Sequence, residues 1–234
     1  AVQPAPGPRP WAHDLLAALA GGLATGMKFT FLVPVAAVGM ALVATAPTGS
    51  RVRRLGVVAA AGLASGGYWY ARNIVLTGNP LPALDLSIGP LHLRAVEGVA
   101  NATTVASILD DGEVLRTFIL PGLRDAYGPA WFVVLGLAAL GAVSALVQGR
   151  PPIVRALGVV AVVSTVAFVY NPQYLFGGTF FATNLRYAAP GLALALVLVP
   201  LGAGRFSAAL TGLLAGVVVV TQLDPVSWPL WTGE

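Results

Sequence analysis

The chain has 234 residues, 57% of them hydrophobic and only 9% charged, with a mean hydropathy of +0.82. Ordinary soluble domains carry roughly a quarter charged residues, so this composition excludes that class and predicts an integral membrane protein. There is no cysteine, which rules out disulfides, thiol nucleophiles and thiolate metal sites, and His13 and His92 are too far apart in sequence to build a metal centre by themselves.

The Pro-rich opening, residues 1–14, reads as a cytoplasmic linker. It lacks the charged and apolar regions of a signal peptide, and the expectation is that the chain is the C-terminal piece of something longer. Residues 15–45 are apolar throughout, but one helix of that length would run about 46 Å, well past the ~30 Å hydrocarbon core. The polar stretch Thr25-Gly26-Met27-Lys28-Phe29-Thr30 at its middle, followed by Pro34, predicts two short helices meeting near the outer leaflet with both far ends cytoplasmic. A single tilted span is the alternative, and Lys28 separates the two readings, because a lone ammonium at the bilayer centre is costly.

Five further stretches are long and apolar enough to qualify approximately as spans: Leu55 to Leu76, Pro129 to Val147, Ala156 to Tyr170, Tyr187 to Leu201 and Ser207 to Leu223. The predicted architecture is therefore all-α, a polytopic transmembrane bundle of about six to seven helices. Membrane helices occupy 15–77 and 129–223, an extracytoplasmic loop 78–128, and an extracytoplasmic tail 224–234. Arg51, Arg53 and Arg54, then Arg150 and Arg155, then Arg205 mark alternate loops as cytoplasmic. The loop from Arg72 to Tyr127 holds four Arg and six acids, a net charge of −2, as the outer side should. The whole-chain net charge of +4 thus reads as topology rather than nucleic-acid binding, since the arginines flank apolar runs. Within the outer loop, Val99 to Leu120 shows an imperfect helical pattern and is expected to form one or two helices lying on the membrane surface.

The polar residues at the outer ends carry the chemistry. In YWYARNIVLTGNP, residues 68–80, the aromatics Tyr68, Trp69 and Tyr70 precede Arg72 and Asn73. The plain reading is an interfacial aromatic belt with a snorkelling arginine. The functional one has Arg72 and Asn73 facing a cavity that binds an anionic group, for which a guanidinium fork is suited. Asn184-Leu185-Arg186-Tyr187 repeats the arrangement at another outer mouth. If Lys28, Arg72 and Arg186 converge, a lipid phosphate or pyrophosphate is the natural partner. Asp110, Asp111, Glu113 and Asp85 are weak candidates for acid–base chemistry or for a divalent cation, a solvated acidic surface being the commoner state. Asn101-Ala102-Thr103 fits a glycosylation sequon and carries no weight. No GxSxG, Walker-type or HExxH motif appears, so hydrolase, nucleotide-dependent and zincin chemistries have no support.

Three segments, in order, bear a resemblance. GGLATGMKFTFLVPVAAV (21–38), YWYARNIVLTGNP (68–80) and NLRYAAPGLALAL (184–196) resemble segments of the GT-C class of membrane glycosyltransferases, of the dolichyl-phosphate-mannose-protein mannosyltransferase type, over about 45 residues of the chain. The resemblance implies an enzyme that takes a sugar from a polyprenyl-phosphate carrier and passes it to a glycan, lipid or protein acceptor on the extracytoplasmic face of a bacterial plasma membrane, with no nucleotide cofactor. It implies carrier-phosphate roles for Lys28, Arg72, Asn73 and Arg186, and a pocket lined by Tyr68, Tyr70, Asn184 and Tyr187. The family's aspartate lies in an early outer loop with no counterpart here, so the catalytic base is unassigned. Gly67, Met27 and Leu81-Pro82 depart from the family's usual residues. A transporter for lipid-linked sugars would show repeats or acids inside the spans, and a non-catalytic scaffold would use the loop helices for docking. Those are the rival classes.

Overall fold

The computed structural model describes residues 10–96, 104–147, 150–171, 181–182, 184–202 and 206–223. Most of the Pro-rich opening, the sequon, Arg205, most of the 171–186 loop and the C-terminal tail lie outside the described residues. The fold is all-α apart from one small hairpin, and it divides into two units, residues 1–100 and 101–234.

The first unit holds α1 (Pro10–Met27), α2 (Leu32–Ala44) and α3 (Arg51–Thr77). The 15–45 stretch is broken where its polar centre predicts: Lys28 is extended, at φ −152° and ψ 120°, and a 3₁₀ turn, Phe29–Phe31, leads into α2. The first helix starts five residues earlier than the apolar pattern does, so the last part of the expected linker is helical. Asp14, in this added turn, is buried and forms an ion pair with Arg54 of α3. Arg54 also donates to the Leu42 carbonyl at 2.9 Å, and Arg51 donates to the carbonyls of Ala44, the last residue of α2, and of Ala46 just beyond it. These bonds put the start of α1, the end of α2 and the start of α3 at one end of the unit, leaving Lys28 at the other.

Glycine sets the α1–α3 seam. Gly22 and Gly26 face Gly62 and Gly66, and a methyl group on Gly22 would land on the Gly62 carbonyl, one on Gly66 on the Gly22 carbonyl. Small residues four apart on both helices are the device by which membrane helices approach closely. At its far end α3 stops at Gly78, whose left-handed φ of +73° favours glycine and whose N–H bonds back to Ile74. The chain then forms an antiparallel hairpin of β1 (Leu86–Ile88) and β2 (Leu91–Leu93), which the loop's sequence does not announce.

The second unit contains α4 (Gly112–Tyr127), α5 (Trp131–Leu146), α6 (Pro152–Tyr170), α7 (Ala189–Gly202) and α8 (Ser207–Leu223). The helix expected within Val99 to Leu120 is displaced toward the C-terminus. Asp111 caps it by accepting from the N–H groups of Glu113 and Val114 at 2.9 and 3.1 Å. A π-helical stretch, Leu115–Ile119, precedes Pro121, whose ring crowds the carbonyl a turn back and whose missing N–H cannot continue the regular ladder. The α4 and α5 axes bend by 81° at Gly128, φ +75°. The α5, α6 and α7 helices bury Ala138, Ala142, Ala145, Ala161, Ala195 and Leu198 between them. A second cluster joins α4 to the end of α6 through Val105, Ile119, Phe168, Phe181 and Leu185.

A helix covers each of the five apolar stretches. Among the described residues, only α6, with 19 residues, is by itself long and apolar enough to cross a membrane. The bent α4–α5 pair passes as one broken span, while α7, part of α8 and Phe29–Ala44 are apolar but shorter. At 27 residues α3 is long enough, but Arg51, Arg53, Arg54 and Arg72 lower its apolar character.

Candidate functional site

A cavity of about 410 Å³ opens at the Lys28 end of the first unit. Three chain segments wall it: the α1–α2 break with Thr25, Lys28 and Phe29, the last turns of α3 with Trp69, Tyr70 and Asn73, and the Pro80–Ala83 turn. The segments at 21–38 and 68–80, singled out on the sequence, therefore meet in space around one lysine.

Helical periodicity divides the cluster after Tyr68 into two faces. Residues 69, 70 and 73 share one side of α3, whereas Tyr68 and Arg72, four apart, share another with Ala71, Val75 and Leu76. Arg72 is exposed and its guanidinium lies 6.0 Å from the Trp69 ring centre. The expected convergence of Arg72 with Lys28 and Asn73 is thus absent: consecutive residues on a helix point about 100° apart, and only Asn73 faces the lysine. Arg186 belongs to the second unit, where its Nη2 donates to the Tyr187 hydroxyl at 2.8 Å and its guanidinium stacks 5.0 Å from that ring centre. Asn184 and Tyr187 are half-buried beside it.

Hydrogen bonds hold the Lys28 cavity open. The Tyr70 hydroxyl donates to the Thr25 carbonyl at 2.9 Å, satisfying an acceptor left over at the end of α1 and tying α1 to α3. The Asn73 amide donates to the Pro80 carbonyl at 3.2 Å, fixing the turn against the helix. Asn79 is the hub of this turn and is only 1% exposed. Its amide donates to the carbonyls of Leu84 and Arg94 at 2.9 and 3.0 Å, and its Oδ1 accepts from the Leu81 N–H at 2.8 Å. Sequence reasoning gave the Gly-Asn-Pro triplet only a turn. The signal for more was available, since an asparagine whose side chain bonds the backbone two residues on is an Asx-turn.

The acidic candidates occupy structural positions. Asp85 accepts from the Ala95 N–H and closes the base of the hairpin, and Asp111 is the α4 cap. Asp110 is exposed, and no group of three His, Cys, Asp or Glu capable of holding a metal ion occurs among the described residues. In the second unit, burial pushes the Tyr127 hydroxyl above its ordinary pKa.

A second, almost wholly apolar cavity of about 460 Å³ runs between α2 and the α1–α3 pair. Thr25 and Tyr70, bonded to each other, form a wall that the two spaces share.

No protein-family model, curated protein or solved structure matches the chain. The functional reading therefore rests on the residues and their arrangement.

Proposed function

We propose that this chain is part of a polytopic bacterial plasma-membrane glycosyltransferase of GT-C type, which transfers a sugar from a polyprenyl-phosphate donor to an acceptor on the extracytoplasmic face. One observation carries the reading: the cavity in which Lys28, Tyr70, Asn73 and the Gly-Asn-Pro turn are assembled from two separated segments that resemble that class. Glycosyl transfer from a lipid phosphate needs a cation beside the departing phosphate and a place for the sugar, and needs no nucleotide site. Lys28 supplies the positive charge, and Trp69 and Tyr70 offer ring faces of the kind that pack on a sugar. Arg72 does not line this cavity, which narrows the carrier-phosphate assignment in the first unit to Lys28 and Asn73.

A membrane location is supported by the glycine seam of α1 and α3 and by large apolar side chains left exposed along the helices, such as Leu63 at 70%, Val75 at 83% and Met40 at 65%. The ion pair and carbonyl bonds of Arg54 put both far ends of the broken helix pair together, the arrangement a re-entrant pair requires.

The test is transfer by the reconstituted protein from a panel of polyprenyl-phosphate sugars, with Lys28→Ala compared with Arg72→Ala. Loss of an ionic contact to phosphate is worth roughly 1.5–3 kcal/mol, so Lys28→Ala is expected to slow transfer by about ten- to a hundredfold, with Arg72→Ala near wild type. Equal rates in the wild-type and Lys28→Ala proteins would remove Lys28 from the site. Failure with every lipid-linked donor would remove the proposed activity.

A further inference from the structure

Arg51, Arg53 and Arg54 stand at the start of α3, and Arg150 and Arg155 stand at the start of α6, ends that the charge pattern assigns to the cytoplasmic side. Three of these arginines are spent on the fold. Arg51 and Arg54 hold the end of α2 and Asp14, and Arg150 donates to the Leu201 carbonyl near the end of α7 at 3.1 Å. Arg53 and Arg155 are exposed, and neither has a hydrogen bond or ion pair among the described residues. Their own helices gain nothing from them, because a cation in the first turn lies at the positive end of the helix dipole.

Each of the two opens an exposed stripe. On α3, Arg53, Gly56, Ala60 and Ala64 are exposed at the three- and four-residue spacing of one helix face, away from the Gly62–Gly66 seam, and exposed Tyr68 ends the run. On α6, the helix long and apolar enough to cross a membrane by itself, Arg155, Val159, Val162 and Val166 do the same, and exposed Tyr170 ends the run. Both runs place arginine and tyrosine 15 residues apart, about 22 Å of helix, with only small or apolar residues between them on the stripe. Helical side chains lean toward the helix N-terminus, so each arginine reaches outward from its run and lengthens it toward the ~30 Å of the hydrocarbon core. The guanidinium heads then lie at the level of lipid phosphates.

We infer that Arg53 and Arg155 bind anionic phospholipid headgroups of the cytoplasmic leaflet, one on each unit. The inference rests on the membrane placement proposed above and is independent of the glycosyl-transfer chemistry. A guanidinium offers paired donors to phosphate oxygens, and a leaflet carrying anionic lipid attracts basic residues at its surface. The charge of Arg54 is answered by Asp14, whereas the charges of Arg53 and Arg155 are answered by lipid.

The test uses the full chain in nanodiscs of mixed phosphatidylcholine and phosphatidylglycerol, with the lipids retained on the protein after gentle release counted by native mass spectrometry. Arg53→Ala and Arg155→Ala should each lose one retained phosphatidylglycerol, and the double variant should lose two. In pure phosphatidylcholine both single variants should unfold at the wild-type temperature, unlike Arg54→Ala. Added phosphatidylglycerol should raise the unfolding temperature of the wild type more than that of the double variant.

Unchanged retention in the double variant, or a loss of stability in pure phosphatidylcholine as large as that of Arg54→Ala, would overturn the inference. Release of the retained lipid by free glycerol phosphate would also overturn it, by showing a site for a soluble anion. A chain that does not enter the discs would overturn the membrane placement as well. Glycosyl transfer is read separately with the donor panel, so its failure leaves these two sites standing.

Discussion

The two units solve helix packing differently. In the second, α5, α6 and α7 interlock through alanines and Leu198, which is fully buried, and Gly141 lies directly against the Ala195 carbonyl. The first concentrates its closest packing in one seam, α1 against α3, while α2 touches that pair at fewer places, Val35 against Gly21 and Gly39 against Val58, and an apolar groove lies between them. The difference teaches where a ligand can go. A mutually packed trio has density close to that of an organic crystal, whereas a tight pair with a third helix touching it at fewer points retains usable space.

The largest effect should come from disturbing the seams themselves. Gly66→Val in the first unit and Gly141→Val in the second each drive a side chain into a facing backbone carbonyl, and each should cost at least about 3 kcal/mol and impair assembly. Gly62→Ala is the internal control. A Cβ there would sit 3.8 Å from the Ala18 carbonyl, an ordinary contact, and thermal unfolding in detergent should be nearly unchanged. If Gly62→Ala and Gly66→Val behaved alike, the seam would not have the register described.

Breaking the clamp should be the next largest. Arg54→Ala leaves Asp14 buried without its partner and frees the Leu42 carbonyl, with an expected cost of about 3 kcal/mol. Replacing both ion-pair residues by apolar ones, Asp14→Leu with Arg54→Met, should recover much of that loss, because desolvation offsets most of the attraction in a buried pair. Thermal unfolding of the single and double variants checks this, and a double variant no better than Arg54→Ala would mean that the carbonyl bond dominates.

The smallest effect is confined to the second unit. Burial raises the Tyr127 pKa above its ordinary value of 10.0, so the folded protein favours the neutral phenol. The associated stability is present below about pH 10 and is lost as pH rises through the raised folded value. Absorbance titration of the protein should contain a late step from Tyr127, and Tyr127→Phe should remove it. An unchanged titration curve in the variant would contradict it.

Much of this was legible locally. The break at Lys28 follows from an apolar stretch too long for one crossing with a polar centre, and helix ends at Gly78 and near Pro121 carry recognisable residues. The hairpin at 86–93 was not legible, because its strands are three residues each and are held by Asn79 and Asp85 from outside the pairing. Within the candidate site, Lys28, Tyr70 and Asn73 could be named from sequence. Sorting Arg72 away from them needed the orientation of α3 relative to α1, since the helix alone defines faces but not which face meets a neighbour.

The Asp14–Arg54 pair was missed for a related reason. An acid near the end of a Pro-rich opening and an arginine in a cationic loop each have an adequate local account, as linker and as topology signal. Only their meeting across α1 and α3 turns them into a clamp.

By itself, then, the sequence determined the all-α class, the positions of the main helices and the polar and cationic residues at their ends, because composition, periodicity and end signals act over a few turns. The tertiary structure decided which glycines form the seam, that Arg72 parts from Lys28, and that a polar cavity and an apolar groove share Thr25 and Tyr70 as a wall. Those outcomes depend on how one helix is rotated and placed against another, a long-range quantity that no local pattern encodes.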